Sequence, residues 1–359
     1  MTATEAPGVG RVADRVDGVE RPRFDVVIPT VGRPSLAPLV DTLARTLPAG
    51  SRLLVVDDRP GGGGLDGLGV LDVLGGAGPD GSGGPAASPG WERAEVVRGG
   101  GRGPAAARNV GWRASTAPWI AFLDDDVDLP PDWVRRLEDD LANAADPAVV
   151  AVQGRVRVPP PPRGRRPSDW ERNVQGLEGA PWITADLVVR RAALAAVGGF
   201  DERFPRAYRE DSDLALRLLD RGGRLAVGER RVRHPVRPAP WWVSVRLQQG
   251  NADDVTMERL HGPGWRARLG SAAGTYPQHR ATVAVGAAGL AALALGRRRP
   301  AVAGLGWWAV RWLRFAAARI APGPRTRREV AAMVVTSALI PPAACAHRAR
   351  GHLRWVIRS

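Results

Sequence analysis

The stretch Trp119-Ile120-Ala121-Phe122-Leu123-Asp124-Asp125-Asp126 runs from five apolar residues straight into three carboxylates. Five apolar residues are the length of a buried strand, so the acids stand at its carboxyl end. Adjacent carboxylates repel one another unless solvent or a cation offsets their charge. A solvated turn is one reading of such a triplet. A site for a hard divalent cation with oxygen ligands, Mg²⁺ or Mn²⁺, is the other. The strand ahead of the acids favours the cation, because it fixes them at a sheet edge.

Outward from this stretch the same grammar repeats. Phe24-Asp25-Val26-Val27-Ile28-Pro29 reads as a buried strand ended by proline, Thr30 to Pro34 as a turn, and Leu36 to Leu47 as a helix with apolar residues at helical spacing. Leu53 to Val56 is a second short strand, ending at Asp57-Asp58, and Val96-Val97 a third. Strand, helix and strand in alternation predict a parallel sheet with helical crossovers. Ligands bind beyond the carboxyl ends of such strands, where Thr30, Asp57, Asp58 and the triplet fall. Further helices are expected over Pro104 to Ala114, from Pro131-Asp132-Trp133 with proline and acids in its first turn, over Ala192 to Val197 and over Ser212 to Leu219. A strand is expected over Val149 to Val158, and Pro159 to Pro167 is a proline- and arginine-rich loop. Pro60 to Gly90 holds 13 glycines in 31 residues and reads as a flexible insert, with no Lys-Ser/Thr to make its Gly61–Gly64 run a phosphate loop.

The charge is unevenly placed. The 359 residues carry a net charge of +14, and all 51 basic side chains are arginine. Residues 1–260 are nearly neutral at −1, whereas residues 261–359 hold 16 Arg and one acid, Glu329, for +15. An anionic surface met by the tail alone fits this better than a nucleic-acid-binding domain, and no nucleic-acid partner is expected. The uncharged runs Ala281–Gly296, Pro300–Val310 and Val330–His347, with Trp307-Trp308 and Trp312 interleaved with Arg311 and Arg314, resemble a membrane interface. No run reaches spanning length on this reading, since 16 residues of helix rise about 24 Å against a hydrocarbon core of about 30 Å. Interfacial or re-entrant helices are expected, with a soluble Ala-rich helical subdomain or phosphate binding by the tail as alternatives. Residues 1–23 lack an apolar segment, so a cytoplasmic main domain is expected. The lone Cys345 has no internal disulfide partner.

A second acid group, Glu210-Asp211-Ser212-Asp213, opens an amphipathic segment. Ser212 or Asp213 would cap that helix, which leaves Glu210 and Asp211 for other work. A carboxylate at the mouth of a nucleotide site can act as general base toward an acceptor hydroxyl. His234, 23 residues after Asp211, is either structural or a third metal ligand.

In order and spacing, Phe24 to Pro34, Val55-Val56-Asp57-Asp58, Ala107-Arg108-Asn109, Phe122 to Asp126, Val197 to Glu202 and Glu210 to Leu214 resemble the motifs of family 2 glycosyltransferases of the GT-A fold. The resemblance covers about residues 24–260. It implies an α/β fold with a mixed, mainly parallel sheet flanked by helices, a nucleotide-diphosphate sugar donor, a divalent metal and inverting transfer. By position it implies that Thr30, Arg33, Asp57, Asp58, Arg108, Asn109, Asp124 and Asp125 bind the donor, that Asp124, Asp126 and His234 hold the metal, and that Asp211 is the base, oriented by Glu210. No Gln-x-x-Arg-Trp segment follows Asp211, which points to transfer of one or a few sugars rather than polymer extrusion.

The expected organisation is a disordered segment over 1–23, a glycosyltransferase domain over 24–260 with the insert at 60–90, and a basic, apolar helical tail over 261–359. The expected acceptor is a lipid-linked or cell-envelope glycan, met at the cytoplasmic face of the cell membrane with the tail on its anionic surface. A sugar nucleotidyltransferase and a non-catalytic membrane adaptor are the competing readings. Pro159 to Asn173, Trp182 and Trp241-Trp242 are acceptor-side candidates. A chain ended near residue 265 is expected to stay soluble.

Overall fold

The computed structural model describes residues 15, 16, 19, 20, 22–61 and 94–358. The N-terminal segment expected over 1–23 and the insert expected over 60–90 lie for the most part outside the described residues. A short antiparallel pair, Arg15–Val16 with Val19–Glu20, falls in the segment expected to be disordered; the strands of the main sheet are β1 (Phe24–Thr30), β2 (Leu53–Asp57), β3 (Ala94–Arg98), β4 (Trp119–Leu123), β5 (Val149–Arg157), β6 (Asp186–Arg190) and β7 (Arg224–Arg233). They form one seven-stranded sheet in the order β3-β2-β1-β4-β6-β5-β7. The pairs β3-β2, β2-β1, β1-β4 and β5-β7 are parallel, and β6 runs antiparallel to both of its neighbours. This is the mixed, mainly parallel sheet that the resemblance implies.

The central strands are buried on both faces, which is why they read as continuous apolar runs. The helices α1 (Leu36–Thr46), α2 (Pro104–Ala114), α3 (Trp133–Asn143), α4 (Asp169–Gln175), α5 (Arg191–Val197) and α6 (Glu210–Asp220) flank the sheet. One face packs Leu36, Leu39 and Leu43 of α1 and Leu137 of α3 on Val26, Ile28 and Val55. The other packs Ala107 and Trp112 of α2 and Leu214 and Leu218 of α6 on Val27, Val56 and Phe122.

Some local expectations are corrected. Strand β1 continues through Pro29 to Thr30. Pairing with β4 stops at Val27, so beyond that point β1 has one neighbour, and the missing N–H of Pro29 interrupts no two-sided ladder. Helix α3 starts at Trp133, after Pro131, with no acid in its first turn, and Asp132 pairs with Arg136 at 2.6 Å instead of capping. Helix α6 starts at Glu210, two residues before the expected start at Ser212, after Arg209 in the left-handed region at φ 78°. Ser212 and Asp213 therefore lie inside the first turn, and Asp213 binds Arg217 at 2.6 Å and His261 at 2.8 Å.

Strands β6 and β7 carry charges that hide them in the sequence. Arg230 of β7 is fully buried: Nε donates to Asp186 Oδ1 at 2.8 Å, Nη1 to Asp140 Oδ2 at 2.9 Å and Nη2 to Val152 O at 2.7 Å. Trp133 Nε1 donates to the other Asp186 oxygen at 3.0 Å. Gly154 and Gly228 leave room for these acids, since a Cβ at either would overlap a carboxylate.

Beyond β7, helix α7 (Gly250–His261) leads to three long helices, α8 (Tyr276–Ala294), α9 (Arg298–Ile320) and α10 (Arg327–Arg358). Packing crosses residue 260: Trp265 and Leu269 share a core with Phe204, Leu216 and Met257. Arg319 of α9 donates to Asp169 of α4 at 2.7 Å and to Ser244 at 2.9 Å, and Arg348 of α10 pairs with Glu258 of α7. The expectation that no run is long enough to span a membrane is corrected. Helix α10 stays continuous through Pro341 and Pro342, and within its Arg327–Val356 portion an 18-residue stretch is, by length and composition, apolar enough to cross one.

Candidate active site

Because β1, β2 and β4 are parallel, Thr30, Asp57-Asp58 and Asp124 to Asp126 emerge at one edge of the sheet. Asp125 is spent on the turn after β1: it accepts from Thr30 Oγ1 at 2.6 Å and pairs with Arg33. Asp57 is gripped by Arg59 Nε at 2.8 Å and Nη2 at 2.7 Å, which holds its carboxyl below the usual range. Asp58 accepts from Arg102 N at 3.0 Å and Gly103 N at 2.9 Å and so shapes the entry to α2. There Gly103, at φ 97°, approaches Pro205 O so closely that a Cβ would lie 2.6 Å from it. Asn109 is likewise committed, donating to Phe200 O at 2.8 Å and accepting from Phe200 N at 2.8 Å and Trp112 Nε1 at 2.9 Å. Six of the expected donor residues, Thr30, Arg33, Asp57, Asp58, Asn109 and Asp125, thus bind the protein's own loops.

Arg108 joins the two acid groups. From α2, 1% exposed, its Nη2 reaches Asp124 Oδ1 at 2.8 Å and its Nη1 reaches Glu210 Oε1 at 2.9 Å, while the guanidinium lies over Phe200 with 5.6 Å to the ring centroid. This buried bridge fixes the end of β4 against the start of α6. Glu210 is buried, and burial first, then the charge of Asp211, pushes its carboxyl up to about 8 against the pull of Arg108. Asp211 is half-buried, accepts from Ser212 N at 2.6 Å, and is also raised, chiefly by burial.

The third group arrives from the far side of the sheet. Asp128 and Arg233 exchange backbone hydrogen bonds of 2.8 and 2.9 Å, zipping the end of β7 to the loop after β4. His234 is thereby held with Nε2 3.5 Å from Asp126 Oδ1. Ligand atoms of Asp124, Asp126 and His234 all lie within 4.8 Å of one another. Burial and the neighbouring Asp124 push the Asp126 carboxyl up. Among the described residues, Arg108 Nε, Glu210 Oε2 and His234 Nδ1 are buried without a hydrogen-bond partner. Two carboxylates, one imidazole and these unmet polar atoms fit a divalent cation with anionic ligands of its own.

Arg237 was not marked by the sequence reading. Its Nη2 lies 2.7 Å from Asp126 Oδ2, offsetting the charge a metal would offset, and Trp170 Nε1 holds its carbonyl at 2.7 Å. The contact is made only in the folded chain. A basic residue three positions after His234 was the single available signal. Of the acceptor-side candidates, Trp182 sits at φ 62° beside the third core cluster, and Trp241 and Trp242 are exposed.

Residues 82–196 match the family model described as Glycosyl transferase family 2. This segment is similar to a family 2 glycosyltransferase domain. The matched segment includes Arg108 and the acid triplet and ends before Glu210, Asp211 and His234. Over 136 residues the chain is 35% identical to the pre-mycofactocin glycosyltransferase of Mycobacterium tuberculosis, covering 34% of this chain and 28% of that protein. Over 181 residues it is 30% identical to the succinoglycan biosynthesis protein ExoM of Rhizobium meliloti, covering 46% of this chain and 58% of that one. The chain thus spans less than two thirds of the length of each of these relatives. Among solved structures, glucosyl-3-phosphoglycerate synthase from Mycobacterium tuberculosis in complex with Mn²⁺, UDP and glucosyl-3-phosphoglycerate is a distant likeness, with a TM-score of 0.41, 14% identity, and coverage of 70% of this chain and 81% of that one.

Proposed function

We propose that the chain is a metal-dependent, inverting glycosyltransferase that moves a sugar from a nucleoside-diphosphate sugar to a hydroxyl of a lipid-linked or cell-envelope glycan acceptor. The observation that carries this reading is the Arg108 bridge, which ties Asp124 of a three-residue metal-ligand cluster to the Glu210-Asp211 pair. A divalent cation on Asp124, Asp126 and His234 would offset charge on the departing nucleoside diphosphate. Asp211, at the open side of the pair, takes the proton of the acceptor hydroxyl. The hydroxyl oxygen bonds to the anomeric carbon as the carbon–oxygen bond to the diphosphate breaks, from the opposite face, so the configuration inverts. Glu210 positions Asp211 through the buried bridge. The lack of a Gln-x-x-Arg-Trp segment supports addition of one or a few sugars.

The same reading assigns residues 24–260 to catalysis and 261–359 to the cytoplasmic face of an anionic membrane. Exposed Leu290, Leu293, Val302, Trp307 and Leu313 on α8 and α9, with Leu295 between them, beside the arginine excess, support that placement. A panel of nucleotide sugars, each with and without Mn²⁺, tests the function through protection against thermal unfolding. One donor should protect only with metal and should then yield nucleoside diphosphate. Pyrophosphate release would replace this reading with nucleotidyl transfer, and metal-independent protection would remove the role of Asp126 and His234.

A further inference from the structure

The three tail helices line an open cavity of about 330 Å³ between the start of α8, the second half of α9 and the middle of α10. Trp307, Trp312 and Phe315 give it aromatic walls, His279, Arg311 and Arg314 line it as well, and no acid does. The single tail acid, Glu329, is committed elsewhere, accepting from Asp169 N at 2.8 Å. Arg311 is half tethered: Nε donates to Thr282 Oγ1 at 3.0 Å and Nη2 to Gln278 O at 2.9 Å, leaving Nη1 free among the described residues. Arg314 makes no hydrogen bond or ion pair with any described residue.

Arg311 is half-buried and Arg314 exposed, and with no acid lining this aromatic cavity the two guanidinium groups suit an anion that brings its own apolar body. The surface around the cavity supplies the match for that body. Trp307 and Val310 line the cavity and are 51% and 41% exposed, Leu313 of the same helix is 55% exposed, and Val335 and Leu339 of α10 are 45% and 46% exposed. A soluble phosphate compound would leave these side chains in water. We propose that the cavity binds the phosphodiester headgroup of an anionic membrane lipid, with Arg314 and Arg311 Nη1 on the phosphate, the indoles of Trp307 and Trp312 beside it, and the acyl chains along the exposed faces of α9 and α10. The proposal rests on the membrane placement above and adds to it a stoichiometric site, distinct from diffuse attraction of the arginine-rich tail.

The test uses the full chain in phosphatidylcholine vesicles with graded fractions of phosphatidylglycerol brominated on its acyl chains, which quenches nearby tryptophan. Quenching should saturate at a low fraction of the anionic lipid. Arg314→Gln, which removes no hydrogen bond or ion pair with a described residue, should raise the half-saturating fraction about tenfold. Arg298→Gln, the same charge change at the start of α9, should leave it unchanged. If the wild-type chain floats with the vesicles but its quenching grows linearly, or falls equally in both variants, the site is overturned and the membrane placement stands. A wild-type chain that does not float with such vesicles overturns the placement itself. Relief of quenching by micromolar inorganic phosphate would overturn the lipid in favour of a soluble ligand.

Discussion

Glu210→Gln should make the protein's stability less sensitive to pH. Glu210 is 1% exposed, one of its oxygens has no hydrogen-bond partner, and its carboxyl is pushed from 4.5 up to about 8 by burial and by Asp211. An acid raised in this way holds its proton more tightly in the folded chain than in the unfolded one. Its contribution to stability is complete below pH 4.5 and is lost as pH rises toward 8. A gap of that size corresponds to about 5 kcal/mol in full, of which about 3 kcal/mol falls between pH 5 and pH 8. Glutamine keeps an acceptor for Arg108 Nη1 and cannot ionise. Between those two pH values the wild type should therefore lose about 3 kcal/mol more stability than the variant, read from urea unfolding followed by tryptophan fluorescence. Parallel losses in the two proteins would show that Glu210 ionises freely and would refute the buried-acid account of the site.

Other outcomes follow from the same packing. Arg230→Met leaves Asp140 and Asp186 buried without their cation and should cost about 3–5 kcal/mol in urea unfolding, with the site residues untouched. Arg237→Ala removes the positive charge beside Asp126 and should strengthen Mn²⁺ binding severalfold, measured by the loss of the free Mn²⁺ paramagnetic resonance signal. A chain ended at residue 265 should fail to unfold cooperatively, because it loses Leu269 from the third core cluster, the Arg319 bonds to Asp169 and Ser244, and the cover of α10 over α7. That outcome reverses the soluble truncation expected from composition.

The central strands were legible because burial on both faces writes continuous apolar runs, as in Leu53 to Val56 and Trp119 to Leu123. Their acidic ends were legible for the same reason, since a carboxylate after such a run can only sit at the sheet edge. Strands β6 and β7 were not, because Asp186 and Arg230 are charges that a buried strand should exclude and that pay their way only through each other and Asp140. Composition also misled at the tail boundary. The charge changes near residue 260, but Trp265 is fully buried in the core it shares with Leu216 and Met257. The acid triplet itself divides in a way spacing does not reveal: Asp125 turns back to Thr30 and Arg33, while Asp124 and Asp126 face His234. Arg237 reaches Asp126 through the fold alone.

The central claim is sugar transfer with Asp211 as the base beside a metal held by Asp124, Asp126 and His234. Release of nucleoside diphosphate from the donor that protects the protein, measured with Mn²⁺ for the wild type and Asp211→Asn, tests it most directly. The account predicts metal-dependent release by the wild type, and in the variant retained donor binding with release reduced by at least about a hundredfold. Wild-type turnover in Asp211→Asn would contradict it.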